Sequence, residues 1–196
     1  MKPNFALKLS NDGIELLHRD PSGWLSLGSV SFETDDVEAG CARLVAEARR
    51  LEPGGLRTKL VLPESQLRYA TILAPGPTDE ARRYQIEAEI EALTPYSADE
   101  LAYDWSVEDD YALVVVCARE TLAEAEQFAD ASGFNPIAFV AAPESGQFAG
   151  EPNFGLTTVA AAYVPAGDRV QFDAEPVRVA GKARPVPRAD SGSEKT

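Results

Sequence analysis

The chain has 196 residues, 44% hydrophobic and 26% charged, enough for one domain or two small packed ones whose core needs no staples. A net charge of −14 argues against nucleic acid as a partner, because phosphate backbones reward clustered Lys and Arg. No apolar run is long enough to span a membrane as a helix, and Met1-Lys2-Pro3-Asn4 leads into a strand-like alternation rather than a signal-peptide core, so a cytoplasmic chain is the expectation.

The N-terminus reads as strands. Phe5, Leu7 and Leu9 alternate with Ala6, Lys8 and Ser10, the period of a half-buried strand. Asn11-Asp12-Gly13 offers residues that tolerate positive φ in a tight hairpin. Ile14 to His18 returns, Pro21-Ser22-Gly23 turns again, and Trp24 to Phe32 makes a third strand. Val37, Cys41, Leu44, Val45, Ala48 and Leu51 then form one stripe of an amphipathic helix, with Asp35 and Asp36 at its positive end. Pro53-Gly54-Gly55 stops it, and Arg57 to Leu62 is a fourth strand, giving β-β-β-α-β.

A second block follows. Leu67, Tyr69, Thr71 and Leu73 alternate, and Thr78 or Asp79 caps a helix with Ile86, Ile90 and Leu93 on one face. Leu101, Tyr103, Trp105 and Val107 alternate as a strand, Asp109-Asp110 reads as a hairpin tip, and Tyr111 to Cys117 returns. Thr121 and Glu124 have capping-box spacing before a helix that Gly133 ends, and Ile137 to Ala142 is a last strand. The order β-α-β-β-α-β predicts a ferredoxin-like unit. Farther on, a short helix over Leu156–Val164 and a strand over Val170–Val179 are expected, with a disordered tail from Gly181 to Thr196.

Chemistry-bearing patterns are scarce. His18, the only histidine, stands beside Arg19 and Asp20 at a strand end and reads as structural or solvated. No serine has a Gly-x-Ser-x-Gly setting, and no Gly-x-Gly-x-x-Gly occurs. Ser191-Gly192-Ser193-Glu194-Lys195-Thr196 lacks the spaced glycines of a P-loop. Cys41 and Cys117, without companion histidines, read as reduced, buried thiols rather than zinc ligands. Glu87, Glu91 and Asp104 could pair as carboxylates, a weak signal among 32 acidic residues. No catalytic residue, metal or cofactor is expected. Between Glu87 and Glu126 there are twelve acidic residues and one basic residue, Arg119, either a solvated face or a docking surface for a basic partner.

The run Tyr84-Gln85-Ile86-Glu87-Ala88-Glu89-Ile90-Glu91-Ala92-Leu93-Thr94-Pro95-Tyr96, followed by Asp99-Glu100-Leu101-Ala102-Tyr103-Asp104-Trp105, resembles the helix, proline-aromatic turn and strand of PilM proteins of type IV pilus assembly. Val114-Val115-Val116-Cys117-Ala118-Arg119-Glu120 and Ala131-Ser132-Gly133-Phe134-Asn135-Pro136 are similar to the same family. Leu62-Pro63-Glu64 resembles both PilM and the cytoplasmic domain of GspL, a type II secretion protein. The resemblance covers residues 4–148. It implies an α/β, actin-like fold in which an RNase H-like lobe carries a ferredoxin-like subdomain. Nucleotide-binding relatives have an Asp-x-Gly pattern in the first hairpin; Lys8-Leu9-Ser10 stands there in this chain.

The expected organisation is therefore an RNase H-like part over 1–63, a ferredoxin-like subdomain over 64–148, a weakly structured extension over 149–180 and a tail over 181–196. The expected function is a non-catalytic scaffold of a membrane-associated pilus or secretion assembly. A partial actin-like ATPase completed by another chain and a free-standing adaptor are the alternatives. The expected partner is a protein with a basic surface, met by Asp99, Glu100, Asp104, Glu108, Asp109 and Asp110, with a homodimer left open. No nucleic acid and no membrane insertion by this chain are expected, with attachment at the inner membrane left to downstream sequence.

Overall fold

The computed structural model describes residues 1–185. Strands β1 (Phe5–Leu9), β2 (Gly13–Asp20) and β3 (Gly23–Ser31) form an antiparallel meander, followed by α1 (Val37–Leu51) and β4 (Thr58–Val61). This reproduces the expected first block. Asp36 caps α1 by accepting from the Ala39 N–H at 3.0 Å. Gly40 sits inside the helix because a Cβ there would lie 2.7 Å from Val30 Cγ2. The glycine lets α1 approach β3 more closely than alanine would.

The first hairpin departs from expectation in one detail. Its residues do not use positive φ. Gly13 is required by proximity instead, since a Cβ would lie 2.1 Å from the Val30 carbonyl oxygen. Positive φ does serve the next turn, at Gly23 (φ 125°), and the later tip at Asp109 (φ 54°).

Next come β5 (Leu67–Leu73), α2 (Asp79–Ile90), β6 (Leu101–Glu108), β7 (Tyr111–Ala118), α3 (Arg119–Ala131) and β8 (Pro136–Val140). Thr78 caps α2 through the Ala81 N–H. Thr121 and Glu124 do not cap α3, because β7 runs directly into a helix that begins at Arg119. Gly133 ends that helix with φ 83°.

The ferredoxin-like expectation is corrected by the strand order. Among the described residues the small sheet has three strands, β5-β7-β6, with α2 on one face. Its expected fourth member, β8, lies in the large sheet, parallel to β4. All five β8 side chains are buried, and a strand apolar on both faces needs cover on both. The large sheet supplies that cover. Its order is β10-β3-β2-β1-β4-β8-β9, completed by β9 (Asn153–Leu156) and β10 (Val179–Lys182).

One face of the large sheet packs Phe5, Leu7, Leu16 and Leu60 against Cys41, Leu44 and Ala48 of α1 and Leu122 and Ala129 of α3, a cluster that also takes in Ala102 and Cys117 of the small sheet. The opposite face gathers Ala6, Leu17, Trp24, Val61, Val140 and Val177. Val177 comes from the segment after α4 (Ala160–Tyr163) that crosses this face before joining β3 as β10. The helix expected over Leu156–Val164 is thus only α4, with Leu156 in β9. The strand expected over Val170–Val179 begins only at Val179. Gly181 and Lys182 belong to β10, and the remainder of the expected tail, from 186, lies outside the described residues.

Candidate functional site

Parallel strands β1, β4 and β8 end together, and open α/β sheets bind ligands beyond such carboxyl ends. A cleft of about 430 Å³ opens there, lined among others by Lys8, Ser10, Leu62, Glu64, Glu144 and Arg178. The neighbouring first hairpin is closed on itself. Ser10 Oγ donates to the Gly13 carbonyl at 3.0 Å and accepts from the N–H groups of Gly13 at 3.2 Å and Asp12 at 3.3 Å. The donors a phosphate would need are therefore engaged by a side chain. Arg178 is also engaged, donating to the carbonyls of Pro143 and Val177. Burial, reinforced by Glu144, raises Glu64 above the ordinary carboxylate range. Two carboxyl groups in the cleft oppose an anionic ligand.

The six acids singled out in the sequence do not form one patch. Asp99 and Glu100 lie in a 3-10 turn before β6. Ser97 Oγ bonds Asp99 at 2.6 Å and Glu100 at 2.8 Å, and Ser97 N–H donates to Glu100 at 3.0 Å. Those bonds hold both exposed carboxyls below their ordinary values. Glu108, Asp109 and Asp110 are at the far end of β6, roughly 25 Å away at strand rise, and Asp109 offers its carbonyl to Arg82. Asp104 is turned inward between them. Its carboxylate accepts from Asn153 N–H at 2.8 Å and Trp105 N–H at 2.9 Å, and burial raises its pKa against those bonds. It ties the small sheet to β9. His18 bonds Glu52 at 2.8 Å and packs on Phe5, a structural setting.

No protein-family model matches this sequence, and no curated protein matches it. Solved structures do. The cytoplasmic domain of EpsL, an inner membrane component of the type II secretion system of Vibrio cholerae, aligns over 71% of this chain and 60% of its own, with TM-score 0.50 and 16% identity. A chain of the PilM–PilN type IV pilus biogenesis complex aligns over 72% of this chain and 48% of its own, with TM-score 0.51 and 16% identity. This chain has an actin-like fold. It spans about half to three fifths of the length of those two chains.

Sequence reasoning missed the principal charged feature of this actin-like domain. Lys59, in the middle of β4, is only 1% exposed. Its Nζ donates to Glu151 Oε1 at 2.6 Å and Asp173 Oδ2 at 2.6 Å. Asp173 also receives both Arg19 guanidinium arms, at 2.9 and 2.7 Å, and Lys2 at 3.1 Å. The Trp24 ring lies 5.0 Å from Lys59 Nζ and 4.4 Å from the Arg19 guanidinium carbon. Burial alone would raise Asp173, but hydrogen bonds from Arg19 and Lys59 outweigh it and hold the carboxyl well below the usual range. Burial raises Glu151 despite Lys59, and its second oxygen has no hydrogen-bond partner among the described residues. The cluster fastens the segment after α4 to the actin-like sheet. A lysine inside an apolar strand was the one available signal, and nothing in its spacing points to Glu151 or Asp173.

Proposed function

We propose that this chain is a non-catalytic, actin-like module that holds a protein partner in a membrane-associated pilus or secretion assembly. The observation that carries the reading is Ser10. Its hydroxyl occupies the hairpin N–H groups on the cleft side of β1, and Lys8 stands where nucleotide-binding relatives have an acid. A nucleotide site needs a carboxylate to manage the metal and free N–H groups to meet phosphate. With both replaced, the fold remains as a surface for proteins. Its likeness to an inner membrane secretion component and to a chain of a pilus biogenesis complex supports that setting at the inner membrane. The exposed acids Asp99, Glu100, Glu108, Asp109 and Asp110 favour a partner with a basic surface.

Isothermal titration with Mg-ATP tests the first half, with no specific binding and no hydrolysis above background expected. A dissociation constant tighter than about 100 μM, or roughly −5.5 kcal/mol, would restore the partial-ATPase reading. In-cell crosslinking tests the second half, and recovery of no pilus or secretion component would leave only a free-standing adaptor.

A further inference from the structure

The small sheet has two edges, and they differ. At the β6 edge, the Trp105 N–H is taken by the carboxylate of Asp104, which also binds Asn153 of β9. That edge is blunted and tied to its neighbour. At the other edge, β5 pairs only with β7 among the described residues. Ala74 N–H donates to the Asp110 carbonyl, so with the Ala74–Asp110 pair bonded the antiparallel alternation turns Ala70 and Ile72 toward β7. The same alternation aims the N–H and C=O groups of Tyr69, Thr71 and Leu73 away from the sheet. Folded proteins generally shorten, charge or cover such an edge. β5 runs for seven residues with Arg68 as its only charge, whereas the large sheet ends in β9 and β10, four residues each.

The side chains at this edge are as unusual as its backbone. Leu73 stands opposite Tyr111, and Thr71 opposite Leu113, on the face away from α2. Leu73 is 62% exposed and Tyr111 48% exposed. The loop that covers the rest of this face reaches Ser106, where Ala149 N–H donates to Ser106 Oγ at 3.1 Å, and leaves the Leu73–Tyr111 pair bare. Acids flank both ends. Glu64 lies in the turn leading into β5, and Glu108, Asp109 and Asp110 form the tip beside its last residue. Arg82 reaches the carbonyls of Ala74 and Asp109, Arg68 is the one base of β5 itself, and Arg178, held by the Val177 and Pro143 carbonyls, lies near Glu64 and Tyr69 at the start of the strand.

We infer that the β5 edge accepts an extended segment of a partner protein as a fourth strand of the small sheet. The partner segment has apolar side chains at alternate positions, covering Leu73 and Tyr111, and Lys or Arg near its ends. Main-chain bonds to Tyr69, Thr71 and Leu73 supply the pairing, and the alternate side chains supply selectivity. A second copy of this chain fits less well, because each copy has net charge −14 and a symmetric, antiparallel pairing would set the acidic tip of each beside Glu64 of the other. This inference rests on the scaffold reading and names the surface that reading uses.

The probe is a synthetic peptide in which Val and Thr alternate between paired lysines. Saturable binding is expected, with slowed hydrogen exchange at the amides of Tyr69, Thr71 and Leu73. N-methylation of alternate peptide residues should abolish it. Thr71→Pro removes an outward N–H without touching a ladder bond and should weaken binding about tenfold or more. Leu73→Ser with Tyr111→Ser provides an independent variant should the proline not fold. No peptide binding, binding unchanged by either variant, or protection elsewhere overturns the inference. A chain that dimerises and becomes monomeric on Thr71→Pro also overturns it, in favour of self-pairing. Photo-crosslinkers at Thr71 and at Gln127 on α3 separate the two levels. Partner capture at Gln127 alone sinks the edge and spares the scaffold, and capture at neither site sinks both.

Discussion

Lys59 and Asp173, 114 residues apart, meet at 2.6 Å across the face of the large sheet. The contact encloses a lysine that also holds the buried Glu151. Removing one member of a buried ion pair is costlier than never having had the pair, because the other charge stays behind unpaired. Lys59→Ala is expected to destabilise the fold by about 3–5 kcal/mol. Lys59→Met combined with Glu151→Met is expected to be less damaging than Lys59→Met alone. Denaturant midpoints at constant m measure both.

The same cluster sets the acid limit of stability. The folded pKa of Asp173 is depressed, so its contribution is present above the unfolded value of about 3.9 and lost as pH falls through and below it. Glu151 has the opposite sign. Its folded pKa is raised, so its contribution is greatest below the ordinary glutamate value and fades as pH rises. From about pH 5 down to about pH 3, Asp173→Asn should lose stability less steeply than the parent and Glu151→Gln more steeply. Equal slopes in all three proteins would mean that neither carboxyl governs the acid limb.

Gly40 offers a test of packing against propensity. Alanine in a helix interior is favoured over glycine by about 1 kcal/mol. Here its Cβ would lie within 3 Å of both Val30 methyls, and overpacking of that kind costs about 1–3 kcal/mol. Gly40→Ala should therefore lower the thermal midpoint, and adding Val30→Ala should recover part of the loss. A stabilised single variant would show that β3 yields easily.

Cys41 and Cys117 share one apolar cluster as free thiols. Burial raises Cys41 and pushes Cys117 up to about 11, so few thiolates exist near neutral pH. Thiol reagents should label neither residue in the native protein and both in denaturant. Rapid native labelling would place at least one of them outside the core.

Local order was legible. The alternation of Phe5, Leu7 and Leu9, the stripe from Val37 to Leu51 and the stops at Gly55 and Gly133 each follow from backbone periods set within a few residues. Lys8-Leu9-Ser10 was likewise readable as a departure from a nucleotide-binding hairpin. The way Ser10 Oγ closes that hairpin was not, since it depends on where Asp12 and Gly13 place their N–H groups. Nor was the home of β8. An all-apolar strand satisfies either sheet by pattern, and only packing between β4 and β9 selects the large one. Asp104 reads in sequence like any other acid, yet the return of Asn153 from a distant loop turns it inward. The sequence by itself determined the elements, because their periods are local. The tertiary structure decided their partners, because strand order and buried charge pairing are settled by which distant surfaces exclude water together.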